Sequence, residues 1–143
     1  MKILKNQKPT PLSNFEVAKC IESWKQSDLL FDQEIRPQKN QKNLSKPLQL
    51  KHSVDVKKIM SNTLSYIKNT EAYVASSYDN VKAIHQLCKE HFLTPAETLQ
   101  VLNHRPKDDQ MLILIIEDID QRMTEQQQSE FLEKITELMP IHI

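Results

Sequence analysis

The chain contains no glycine. That single fact removes whole classes of fold, because glycine is the residue that supplies backbone freedom where a Cβ would collide. Phosphate-cradling loops, dinucleotide-binding turns and tight primed hairpin turns all depend on it. Kinase, P-loop and Rossmann architectures are therefore excluded as readings. What remains is a fold that turns on proline and capping residues, and helices are the elements that such residues start and stop.

Helical punctuation is found along most of the chain. Met1 to Leu12 is an extended arm, since Pro9 and Pro11 oppose helix and favour extended backbone. A first helix is expected from Ser13, where S-N-F-E places Glu16 three residues beyond the cap, with Phe15, Val17, Ala18, Ile21 and Trp24 facing inward. The stretch RPQKNQKNLSKP (36–47) carries basic residues, no acids and two prolines, and reads as a linker. A second helix is expected over about 53–68, with Val56, Ile59, Met60, Leu64 and Ile67 on one stripe. A third covers about 79–92, with Val81, Ile84, Leu87 and Cys88 inward. Thr94, Pro95 and Glu97 together mark the start of a fourth, which the NHRP break ends before Pro106. A fifth over about 107–122 contains M-L-I-L-I-I and is apolar on nearly every side. It is expected to be the central helix of the bundle. A sixth follows the T-E-Q-Q capping box at Thr124 and ends near Met139.

No segment after residue 12 alternates with period two, so the fold class is all-α: a small helical bundle with an extended N-terminal arm or strand. Four segments follow: 1–12 as the arm, 13–35 as the N-terminal helix, 36–52 as a basic flexible linker, and 53–143 as the bundle. The longest apolar run falls far short of the roughly 20 residues of a membrane span, so no membrane association is expected. MKILKNQKP lacks the apolar stretch of a signal peptide. Cys20 and Cys88 both lie in helical apolar patterns, which suits a reduced intracellular protein.

Chemistry is sparse. His85, Cys88 and His91 share one side of a helix and have ligand atoms that zinc accepts. A structural site wants a fourth ligand, however, and Cys88 falls on the core stripe, so no metal and no cofactor are expected. Glu117, Asp118 and Asp120 sit at the end of an amphipathic pattern and read as solvated, whereas an acid/base pair needs burial to separate its pKa values. His104 in the NHRP turn reads as a surface contact. No catalytic residues are assigned. Charge is divided instead: residues 1–60 hold 12 Lys/Arg against 6 Asp/Glu, and residues 61–143 hold 7 against 13. Such a division suits a chain with one face toward an acidic partner or nucleic acid and the other toward a basic surface. Arg36, Lys39, Lys42 and Lys46 are the candidate nucleic-acid contacts.

LTPAETLQVLNHRP, followed by an apolar helix with E-D-I-D-Q-R and a T-E step, resembles the small subunit of the stalk heterodimer of nuclear and archaeal RNA polymerases. Within that family it is most similar to the RNA polymerase III member, also called the calcitonin gene-related peptide receptor component. Leu93, Ala96, Glu97, Leu99, Gln100, Leu102, Asn103, Arg105 and Pro106 carry the resemblance, with Glu117, Arg122, Thr124 and Glu125. At the N-terminus it is carried by L-S-N-F-E-V, Leu12 to Val17. These stretches cover about half the chain; residues 27–75 match nothing that can be placed.

The resemblance implies an HRDC-like C-terminal bundle and a non-catalytic polymerase subunit in the nucleus. It implies pairing with a larger stalk subunit carrying an OB-type RNA-binding barrel, contact with the polymerase III core and initiation factors, and proximity to RNA. Ile3, Leu4, Leu12, Phe15, Val17, Asn103, Arg105 and Pro106 are the expected partner contacts, with Ile3 and Leu4 adding a strand to the partner's sheet. The alternative reading, from another class, is a stand-alone helical nucleic-acid-binding module; the acidic balance of residues 61–143 weighs against it.

Overall fold

The structure, a computed structural model, describes residues 11–35 and 53–140. Within them every regular element is a helix: α1 (Asn14–Ile35), α2 (Val54–Lys68), α3 (Glu71–Val74), α4 (Tyr78–Glu90), α5 (Pro95–His104), α6 (Asp109–Ile115), α7 (Ile119–Arg122) and α8 (Glu125–Leu138). The all-α expectation holds. The arm residues Ile3 and Leu4 and the basic residues Arg36, Lys39, Lys42 and Lys46 lie outside the described residues.

Helix starts follow the side chains that can satisfy unpaired N–H groups. The Ser13 amide and hydroxyl both donate to Glu16 Oε2 at 2.8 Å, which closes a capping box at α1. Thr94 with Glu97 does the same at α5, and Thr124 with Gln127 at α8. Ser53, Thr70, Ser77 and Asp108 cap α2, α3, α4 and α6 with one side-chain acceptor each. α3 is the one helix that the sequence pattern did not foretell. At four residues it is too short to show an apolar period, and Thr70 is its only local signal.

Helix ends pose the harder problem in a chain without glycine. A helix commonly stops on a left-handed residue, and glycine is the residue that takes this conformation freely. Here Phe92 (φ 55°) and Arg105 (φ 48°) take that role at the ends of α4 and α5, and Asp118 (φ 50°) takes the same conformation just before α7. Phe92 closes a Schellman motif: its amide donates to the Lys89 carbonyl at 3.1 Å and the Leu93 amide to the Cys88 carbonyl at 2.9 Å. Each such non-glycine residue costs about 1–2 kcal/mol, so other contacts must hold it in place.

Two cores are packed side by side. In the larger, Ile84, Cys88, Val101, Leu112, Phe131 and Ile135 are wholly buried. In the smaller, Ala18 and Ile21 of α1 meet Met60, Leu64 and Ile67 of α2. α1 and α2 run antiparallel, because Glu22 pairs with Lys68 (2.7 Å) while Asp28, further along α1, pairs with Lys57 (3.2 Å), earlier in α2. Tyr73 packs against both cores, and Phe15 lies between its ring and that of Tyr78, with centroids at 5.9 and 5.2 Å.

The expected fifth helix is corrected. Residues 107–122 do not form one continuous central helix. They break after Ile115, where Ile116 is extended and Asp118 is left-handed, and resume as α7. The apolar run is not buried all round either: Leu112, Ile116 and Ile119 are in the core, while Leu114 is 85% exposed and Ile113 also faces outward. Leu112, Ile116 and Ile119 are spaced i, i+4 and i+7, the stripe of a single helix face, and all three stay in the same core across the break while their neighbours Ile113 and Leu114 face outward. The centre of that core is formed by Phe131 and Ile135 of α8 against Ile84 of α4. The inward stripes are also shorter than the sequence suggests, since Trp24 of α1 and Val56 and Ile59 of α2 are exposed at the far end of the hairpin.

Candidate functional site

The motif LTPAETLQVLNHRP and the Arg122 step meet in one polar cluster. Glu97, in the first turn of α5, is 8% exposed. Its Oε2 accepts from the Thr94 amide (2.7 Å) and hydroxyl (2.9 Å), and its Oε1 from the Glu117 amide (3.2 Å). The Arg122 guanidinium donates to both oxygens, at 2.5 and 3.3 Å. Burial by itself would raise the Glu97 carboxyl. The bonds from Arg122, Thr94 and Glu117 overcome that and hold it at about 2. Arg122 also donates to the carbonyl of Phe92 (3.0 Å) and to that of Glu117 (3.1 Å). One ion pair therefore fixes the left-handed residue ending α4, the first turn of α5, and the break between α6 and α7.

The NHRP end of the motif is used the same way. The Asn103 side-chain oxygen accepts from the Asn14 amide at 2.8 Å, which seats the first turn of α1 against the end of α5. Arg105 is 5% exposed and its Nε donates to the Met139 carbonyl at 2.7 Å, tying the end of α8 to the α5 turn. Pro106 is fully buried. Asn103, Arg105 and Pro106, expected at the partner surface, are thus engaged within the chain. So is Phe15, which is buried between Tyr73 and Tyr78. Val17 is half-buried against the smaller core. Leu12 is the one described residue of the expected contact set that lies open, at 48% exposure.

The other sequence candidates separate in space. His85 is exposed, and Cys88 is wholly buried with its thiol pushed up to about 11 by burial. The His91 ring stands edge-on to Phe131 at 5.1 Å. Glu117, Asp118 and Asp120 are exposed, as their amphipathic position foretold. Among the described residues no three His, Cys, Asp or Glu side chains are gathered as metal ligands would be, and no helix is long and apolar enough to cross a membrane.

What sequence reasoning missed is where the open apolar surface lies. Trp24, Leu29 and Leu30 of α1, with Val54 and Ile59 of α2, are exposed on the outer part of the hairpin. Helical periodicity assigned Trp24 and Ile59 inward, and only the point at which the hairpin leaves the body reverses that.

A helical body whose charged side chains lock helix ends together, and whose apolar residues stay open on a projecting hairpin, has the construction of an assembly subunit. The chain belongs to the RNA polymerase Rpb4 family, whose model matches residues 11–139. It is accordingly a non-catalytic stalk subunit of a DNA-directed RNA polymerase, of the kind that pairs with a larger stalk subunit on the polymerase core.

Proposed function

We propose that this chain is the small stalk subunit of RNA polymerase III, that it works in the nucleus, and that it supports initiation at tRNA and 5S rRNA type genes in contact with initiation factors. In this reading its helices 53–143 form the HRDC-like part of the family, and it pairs with the larger subunit that carries the OB-type barrel. The observation that carries the pairing is the exposed apolar surface of a chain in this family: Leu12 lies open beside a rigidly seated α1, and Trp24, Leu29, Leu30 and Ile59 lie open along the hairpin. Complete burial of such a side chain is worth about 1.5–3 kcal/mol, and because most of these stand about half exposed a partner would supply roughly half of that at each. The finer assignment to polymerase III rests on the resemblance of residues 93–106 and 117–125.

The arm is part of the proposal. Met1 to Lys5 would add a strand to the partner's sheet through Ile3 and Leu4, since an isolated strand cannot satisfy its own backbone groups. Removing residues 1–8 should weaken pairing at least tenfold, about 1.4 kcal/mol, while leaving the melting temperature of the chain unchanged. Pairing as tight as that of the full chain would make the arm a mere tail. The assignment itself is tested by purifying the tagged full chain from nuclear extract and identifying its companions by mass spectrometry. The large subunits of polymerase III are expected; those of another polymerase would overturn the assignment while leaving the family intact.

A further inference from the structure

Beside the Glu97 cluster, on the outer face of α4, lies a second feature that helix packing does not use. A cleft of about 760 Å³ is lined by Lys82, His85 and Lys89 of α4, by Phe92 and Leu93 of the turn, and by Pro95 at the start of α5. Residues 82, 85 and 89 are spaced i, i+3 and i+7, so α4 presents them along one face. Neither lysine makes an ion pair or hydrogen bond among the described residues, although salt bridges join other helices elsewhere in the molecule. No carboxylate lines the cleft.

Phe92 is the more telling residue. It occupies the left-handed position of the Schellman motif, where a glycine would sit without strain, and its ring is 87% exposed. An aromatic side chain there costs backbone strain and buries nothing in the chain. The main chain at this point is held by Arg122 through the Phe92 carbonyl, a contact that any residue would offer. The fold therefore accounts for the backbone of residue 92 but not for its ring.

We propose that this cleft binds single-stranded nucleic acid, with Lys82 and Lys89 on backbone phosphates and one base stacked on Phe92. A basic track beside an exposed aromatic ring is the combination that sequence-independent single-strand binding requires, because every base has a face to stack and every nucleotide a phosphate. A flat ring held clear of the surface suits a base better than the aliphatic anchor of an acidic peptide, which would want a recessed pocket. The proposal calls on none of residues 36–47 and does not depend on which polymerase the chain serves.

The test measures fluorescence anisotropy of a labelled single-stranded oligouridylate with the full chain, beside a labelled oligoglutamate peptide. The variants are Phe92→Gly, Lys82→Glu with Lys89→Glu, and a control with Lys39, Lys42 and Lys46 changed to Gln. Losing the stacked base should weaken RNA binding by about fivefold to a hundredfold. Because glycine relieves the left-handed strain, Phe92→Gly should melt no lower than the natural chain, which separates loss of binding from loss of fold. Removing two phosphate contacts should lower the slope of log K against log salt by about 1.4. The proposal is overturned if Phe92→Gly and the double lysine variant bind RNA as the natural chain does. It is equally overturned if the control variant removes all binding, or if only the peptide binds.

Discussion

Replacing Arg122 with alanine is the sharpest test of how this bundle is held together. Three chain breaks converge on that guanidinium: the ends of α4 and α6 through the Phe92 and Glu117 carbonyls, and the first turn of α5 through Glu97. The Glu97 carboxyl, normally near 4.5, is held at about 2, and at about 1.4 kcal/mol per pH unit the gap corresponds to about 3 kcal/mol favouring the charged form. Arg122 supplies only part of this, because Thr94 and Glu117 also donate. Its side chain is 28% exposed, so water would replace some of the lost interaction. Two carbonyl bonds add about 1 kcal/mol each before that discount. Arg122→Ala should therefore cost about 3 kcal/mol, near the lower bound for breaking a buried pair, and lower the melting temperature by about 10 °C. Thermal unfolding followed by circular dichroism reads this directly. The pH dependence supplies an independent arm. A carboxyl whose folded pKa is depressed contributes stability that is fully present above its unfolded value of 4.5 and is lost as pH falls toward 2. Glu97→Gln should thus be less stable than the natural chain at neutral pH, and the gap should close across that acid window. A melting temperature for Arg122→Ala within about 2 °C of the natural chain would refute the reasoning. So would a Glu97→Gln deficit that persists unchanged at pH 2.

Other positions give smaller or more local tests. Thr94→Ala removes the acceptor for the Glu97 amide and one donor to its carboxylate, and should cost about 0.5–2 kcal/mol in a denaturant melt. Phe131→Ala empties the centre of the larger core, where the ring is fully buried, and should cost about 3–5 kcal/mol, a large share of a total of about 5–15 kcal/mol, read as faster hydrogen exchange of core amides. Toward a thiol reagent, half-buried Cys20 should react in the native chain, whereas Cys88, buried with its thiol near 11, should react only after unfolding.

The local rules of helix initiation could be read from the amino acids alone. Ser13, Ser53, Thr94 and Thr124 each begin a helix where the sequence places a capping side chain, because the acceptor and the orphan amide are three residues apart and need no tertiary partner. The all-α class followed from the same signals and from the absence of glycine. Membership of the family was legible in residues 93–106 and 117–125, but their duties were not. Glu97 read as a capping residue, and its tie to Arg122 became visible only when residues 25 positions apart were folded together. Arg105 and Pro106 read as partner contacts, and the fold buries both, with Arg105 donating to the Met139 carbonyl at the end of α8. The M-L-I-L-I-I run shows the limit most plainly. Periodicity gave a continuous helix apolar on nearly every side, whereas a small body offers it a core on one side only. Its kink at Ile116 to Asp118, and the exposure of Leu114 beside a fully buried Leu112, were decided by where α4, α5 and α8 left room. Capping is a matter of three residues and can be written in the chain; burial depends on what the rest of the chain has already covered.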